Sequence, residues 1–290
     1  MRRTLGVNTW VWTSPVTDAS LPAIAAKAAD LGFGAIELPI EQPGDWDPHR
    51  ARDVLAEHRL RPYVVGAMAP GRNLVAAPAS EIVRTQNYLA RCISAAAVLG
   101  SPVVAGPFTA ATGRTWRMTD TDRAEAYENL RAALTPVVAR AEREGVRLAI
   151  EPLNRYETSL INTVEQALDA LEPLLGTALG IALDSYHLNI EEKDVAAAVR
   201  TAGRHIAHVQ VCGTDRGAVG DDHADWPAFL DALDDVGYTG PLNLESFTGD
   251  NDTIATAASI WRPLAASQDV LAARTFDYLT RLQNDREDQG

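Results

Sequence analysis

The chain has 290 residues, 46% of them hydrophobic, enough for one large core or two small ones. Its 26 basic and 39 acidic residues give a formal charge of -13 without any cluster of lysine and arginine, which excludes a nucleic-acid backbone or an anionic membrane surface as the natural partner. The longest apolar stretch, ISAAAVLGSPVVAG, is broken by glycine and proline and too short for a bilayer, and no apolar leader precedes the first strand-like run, so a cytoplasmic protein with small soluble partners is expected.

Along the chain, short runs rich in Val, Ile and Leu alternate with longer segments of helical period. The first half reads LGVNTWVW then LPAIAAKAADLG, AIELPI then HRARDVLAEHR, YVVGAM then EIVRTQNYLARCISAAAVLG, and PVVAGPF then DRAEAYENLRAALTPVVARAEREG. The second half continues with RLAIEPL then TVEQALDALEPLL, LGIALDSYH then DVAAAVRTAG, IAHVQVC then WPAFLDALDDVG, and PLNLESF then IATAASIWRPLA. Gly32, Gly100, Gly145, Gly203 and Gly237 stand where a left-handed residue would end a helix before the next strand. Eight such units without a linker between the halves predict a single α/β domain over residues 1–290, a (β/α)8 TIM barrel with an extra C-terminal helix over 268–283. An open doubly wound sheet fits the same alternation, but LGVNTWVWTSPV carries no G-x-G-x-x-G, the fingerprint such a nucleotide fold would show. Cys92 and Cys212 fall in a helical and a strand pattern and are expected to be reduced thiols.

Catalytic groups of such a barrel sit where strands end and loops begin. There the fifth to eighth strands deliver Glu151, Asp184, Gln210 and Glu245, each flanked by apolar residues. Oxygen-bearing side chains at the rim of a core are costly unless something neutralises them, and a divalent cation does so most simply. Trp10, Trp12 and Trp116 are expected to pack rather than bind, and Arg114 and Arg117 to lie in a solvated loop. No phosphate-binding motif is present, which favours an unphosphorylated substrate.

EPLNRYETSLINT, LDSYHLNIEE, DRGAVG and GYTGPLNLESF resemble the ketose 3-epimerases (tagatose, allulose and ribulose 3-epimerases) of the xylose-isomerase-like sugar isomerase and epimerase superfamily, densely from 147 to 262 and only in architecture before that. The resemblance implies a Mn, Co or Mg ion on Glu151, Asp184, Gln210 and Glu245, with Glu157, His187 and Arg216 holding substrate oxygens. Two positions depart from the pattern: Gln210 stands where the epimerases carry histidine, and Gly213 where they carry glutamate. Hydroxypyruvate isomerases of the same superfamily are similar in using an H-x-Q strand, and an amide oxygen shifts preference from zinc toward Mn or Mg.

With such a site, Glu151 and Glu245 would act as base and acid on opposite faces of the carbon next to a ketose carbonyl, which is epimerisation or isomerisation. The same enolising site serves lyases of the superfamily, namely inosose dehydratases and the two-subunit 3-oxo-C-glycoside deglycosylases, so elimination stays open as the second reading. A non-catalytic sugar-binding subunit is the third, disfavoured because a binder needs no opposed pair of carboxylates. The resemblance implies a small sugar substrate and a homo-oligomer, or a small partner subunit if the lyase reading holds.

Overall fold

The computed structural model of the chain describes residues 2–288. Eight strands, β1 (Leu5–Asn8), β2 (Ala35–Ile40), β3 (Arg61–Gly66), β4 (Val103–Gly106), β5 (Arg147–Ile150), β6 (Leu179–Asp184), β7 (Ile206–Val211) and β8 (Leu242–Leu244), pair in sequence order and close into one parallel barrel. Around them lie α1 (Leu21–Asp30), α2 (Pro48–Glu57), α3 (Ala79–Leu99), α4 (Asp120–Glu144), α5 (Val164–Leu171), α6 (Ser185–Glu191), α7 (Val195–Ala202), α8 (Trp226–Asp235), α9 (Asp252–Ala257) and α10 (Gln268–Glu287). Each expected strand is present. No helix among the described residues is long and apolar enough to cross a membrane. Both cysteines are free and buried, as expected.

The helix stops follow the glycines. Gly100 and Gly145 cap α3 and α4 with φ of 87° and 67°, which an L side chain would resist. Threonine boxes at Thr119 and Thr163 start α4 and α5.

Two connections differ from the sequence expectation. The sixth strand-like run, LGIALDSYH, is not extended to its end: β6 stops at Asp184 and SYHLNIE folds into α6, where the Asp184 carboxylate accepts from the Tyr186 amide and caps the helix. The segment 254–265 does not form a long eighth helix: α9 stops at Ala257, Ser259 takes φ 57°, and Pro263 bars a restart. The C-terminal helix α10 fills the resulting gap in the outer ring. It pairs Asp269 with Lys27 of α1 at 2.8 Å, sets Phe276 edge-on to Phe33 at 5.3 Å and joins Asp234 of α8 through Arg286 at 2.8 Å.

Strand residues alternate between two cores. One set packs between sheet and helices; the other, with Ala35, Tyr63, Val65, Val103, Ala105, Ala149 and Ala182, fills the barrel axis. Continuing that inward period reaches Glu37, Glu151, Asp184, Gln210 and Glu245. Gly6 is part of this packing, since a Cβ there would fall 1.8 Å from the Asn243 side-chain oxygen. Gly6→Ala is expected to push Asn243 off its neighbours and to cost about 1–3 kcal/mol, read as a lower urea midpoint with an unchanged slope. An unaltered midpoint would show that Asn243 has free room to move.

Candidate active site

At the C-terminal end of the barrel, Glu151, Asp184 and Glu245 converge on one side of the axis, all of them buried. Arg216 lies among them. Its Nη1 donates to Asp184 Oδ2 at 2.5 Å and to Glu245 Oε2 at 3.0 Å. The guanidinium stacks 4.1 Å over the Tyr186 ring and 5.2 Å from Phe247. Its backbone is fixed too: the Arg216 amide donates to Gly213 O, Ser246 Oγ donates to Arg216 O, and φ is 68°. The same tight loop requires glycine at 213, because a Cβ there would meet Ala218 O at 2.8 Å.

His187, from the first turn of α6, faces the same cluster. Its Nδ1 accepts the Asn154 backbone amide at 3.1 Å, and its Nε2 faces Arg216 Nη2, which can only donate, also at 3.1 Å; a neutral ring accepts at one of the two. Nε2 lies 3.5 Å from Glu151 Oε1 and 3.6 Å from Asp184 Oδ2. Burial, and then the neighbouring Arg216, depress the imidazole pKa to about 4, so the ring is neutral at pH 7. The glutamates move the other way. Burial, the Glu245 charge and the Asp184 charge push Glu151 well above the usual carboxylate range. Burial also lifts Glu245 well above it, with Arg216 offsetting part of the rise.

Gln210 is two positions above His208 on β7, and its amide nitrogen lies between two carboxylates. It donates to Glu245 Oε1 at 2.6 Å and to Glu37 Oε2 at 3.1 Å. Glu37, wholly buried on β2, also receives Asn8 Nδ2 at 2.8 Å and His208 Nε2. Glu157 is set back from the acid cluster, where its Oε1 accepts from Asn154 Nδ2 at 2.8 Å, and Asn154 in turn contacts His187 Nδ1.

All seven residues singled out from the sequence therefore belong to one region, with Glu157 at its edge. Sequence reasoning missed Glu37, His208 and Asn154. The signal for Glu37 was present: a lone acid inside the apolar run AIELPI. Trp10 packs on Phe247 at 5.5 Å near this region, Trp12 bonds Asp269, and Arg114 is spent on the Val75 and Ala76 carbonyls.

The cluster suits a divalent cation. Glu151 Oε1 is buried and has no hydrogen-bond partner, and Glu151, Asp184 and His187 each offer a ligand atom within 4.8 Å of the others. Asp184 and Glu245 share one guanidinium, and the third buried acid, Glu151, has no ion pair with it, an arrangement that a hard, oxygen-preferring ion would balance.

Comparisons with known proteins agree. Residues 25–266 match the family model of the xylose isomerase-like TIM barrel. The chain is 30% identical over 277 residues to a ketose 3-epimerase of Arthrobacter globiformis, covering 95% of each, and 30% identical over 276 residues to an L-ribulose 3-epimerase of Mesorhizobium japonicum, covering 94% and 92%. A solved L-ribulose 3-epimerase superposes with a TM-score of 0.90 at 28% identity, over 99% of this chain and 97% of that one. The likeness thus extends through the first half of the barrel and is not confined to 147–262. With its eight strands closed in order and its acids gathered at their C-terminal ends, the chain belongs to the xylose isomerase-like TIM barrel family, alongside the ketose 3-epimerases.

Proposed function

We propose that the protein is a divalent-metal-dependent epimerase that inverts the carbon next to the carbonyl of a free ketose. The observation that carries this reading is the pair of buried glutamates, Glu151 after β5 and Glu245 after β8, flanking Asp184 with raised proton affinity. Mn, Co or Mg is the proposed ion, held by Glu151, Asp184, Gln210 and Glu245, because every donor in that set is oxygen. When bound, it would polarise the substrate carbonyl and take up the negative charge that develops as the adjacent C–H bond breaks.

The residues of the chain then divide the remaining work. A carboxylate with raised pKa is suited to accept a carbon-bound proton near neutral pH, so one glutamate removes it from one face of the carbon. The other glutamate, reaching in from a strand three positions round the barrel, returns a proton to the opposite face. His187, neutral, and Arg216, its guanidinium fixed by two aromatic rings, hold substrate oxygens. Glu157, placed by Asn154, accepts from a hydroxyl farther along the sugar. Arg216 already faces two acids, so a phosphate or carboxylate on the substrate would meet net negative charge; the substrate is an uncharged sugar.

The test is incubation of the Mn-loaded protein with ketoses, inososes and 3-oxo-glycosides in heavy water, followed by NMR. Deuterium at the carbon next to the carbonyl together with an inverted hydroxyl is the expected result for at least one ketose. Carbonyl migration would make the protein an isomerase, and loss of a hydroxyl or aglycone a lyase. Absence of exchange across the whole panel would remove the enolising chemistry altogether.

A further inference from the structure

Gln210 has an amide, and an amide has two ends of opposite character. Its oxygen is a metal ligand; its nitrogen is not. Which end faces the site is a question of what holds the other. In this barrel the nitrogen is held twice, by Glu245 Oε1 at 2.6 Å and by Glu37 Oε2 at 3.1 Å. Turning the amide over would set its oxygen against two carboxylate oxygens, acceptor against acceptor.

Of the two carboxylates, Glu245 serves the site and is free to answer to substrate and ion. Glu37 is not. It is wholly buried on β2, one strand position level with Asn8, and three N–H groups converge on it from Asn8, His208 and Gln210. Every donor around it needs an acceptor, and a carboxylate is the one side chain that accepts at both ends.

We infer that Glu37 is a positioning residue for Gln210: by holding the amide nitrogen it commits the amide oxygen to the divalent ion. This rests on the proposed role of Gln210 as a ligand. An imidazole is oriented by the hydrogen bond its second nitrogen makes, and Glu37 gives the amide the same constraint.

Metal affinity, not turnover, tests this. Mn2+ binding is measured from the electron paramagnetic resonance signal of the free ion in the full-length protein, Glu37→Gln, Gln210→Ala and the double variant. In Glu37→Gln one carboxylate oxygen becomes a nitrogen that only donates, so either one N–H group loses its acceptor or His208 moves its proton to Nδ1, which is buried and has no partner. Each single variant is expected to bind Mn2+ about tenfold more weakly or worse, and the double variant little more weakly than Gln210→Ala alone, because Glu37 acts through Gln210. A purely structural Glu37 would instead give losses that multiply.

Unchanged affinity in Glu37→Gln with a loss in Gln210→Ala would overturn the inference and leave the ligand reading standing. Unchanged affinity in Gln210→Ala would sink the ligand reading and the inference with it. Should Glu37→Gln fail to fold, Glu37→Asp keeps the charge and withdraws it by one methylene; weaker binding in the Gln210 protein, but not in the Gln210→Ala background, is the supporting result, and equal losses in both backgrounds the opposing one.

Discussion

Glu245→Gln should slow solvent exchange of the proton next to the ketose carbonyl by roughly 10²–10⁴-fold, the usual contribution of one general acid or base. The amide matches the carboxylate in shape and retains one oxygen but cannot take up a proton. Glu245 lies within hydrogen-bond distance of both Gln210 Nε2 and Arg216 Nη1. An amide can accept from one of them at a time, so some loss of metal affinity accompanies the substitution. Exchange is therefore compared at saturating Mn2+, with bound metal measured in the same samples. Under those conditions a residue that only holds the ion would recover most of its rate, whereas an acid–base residue stays slow. Recovery to within a few-fold of the unaltered protein would move Glu245 out of the proton-transfer pair and leave Glu151 to act alone.

The sequence carries the barrel plainly, because strands buried on both faces leave uninterrupted Val, Ile and Leu runs and helices leave their glycine stops. Glu151, Asp184, Gln210 and Glu245 are legible for a related reason: each stands on the inward period at the C-terminal end of its strand, flanked by apolar residues. Orientation is not. Nothing in HVQVCG tells that the Gln210 nitrogen lies between Glu245 and Glu37, since Glu37 is 173 positions away along the chain. Glu37 shows the same outward sign as the four, yet it stands on β2, outside the consecutive strands that drew attention. Asn154 is invisible because its role depends on a backbone amide reaching His187. The left-handed turn at Arg216 offers no sign either, being a non-glycine residue in a conformation glycine usually takes. Where helical period misled, at 254–265, the helix already ends at Ala257, before the left-handed turn at Ser259 that nothing in the sequence marks; the readable stop, Pro263, lies farther on and only bars a restart.

Removing the metal should abolish turnover and lower the thermal midpoint by roughly 10 °C: an ion at a thousand times its Kd stabilises the native state by about 4 kcal/mol, and a chain of this size shifts about 2–4 °C per kcal/mol. Mn, Co or Mg should restore both, and zinc poorly, since the proposed set offers only oxygens; Gln210→His, which adds an imidazole, should narrow zinc's disadvantage. The effect of pH separates the two forms further. In chelated protein, burial holds the Glu151 and Glu245 carboxyls well above their usual value of 4.5, so the native state binds more protons than the unfolded chain above that pH. Its stability is therefore greatest on the acid side of this window and falls as pH rises toward the elevated values. A bound ion reverses the sign, because it requires the same groups ionised and competes with their protons. The gap in melting temperature between loaded and chelated protein should thus widen from pH 5 upward, as measured by scanning calorimetry. Metal analysis finding an ion-free protein with full activity and an unshifted midpoint would end the metal-dependent reading.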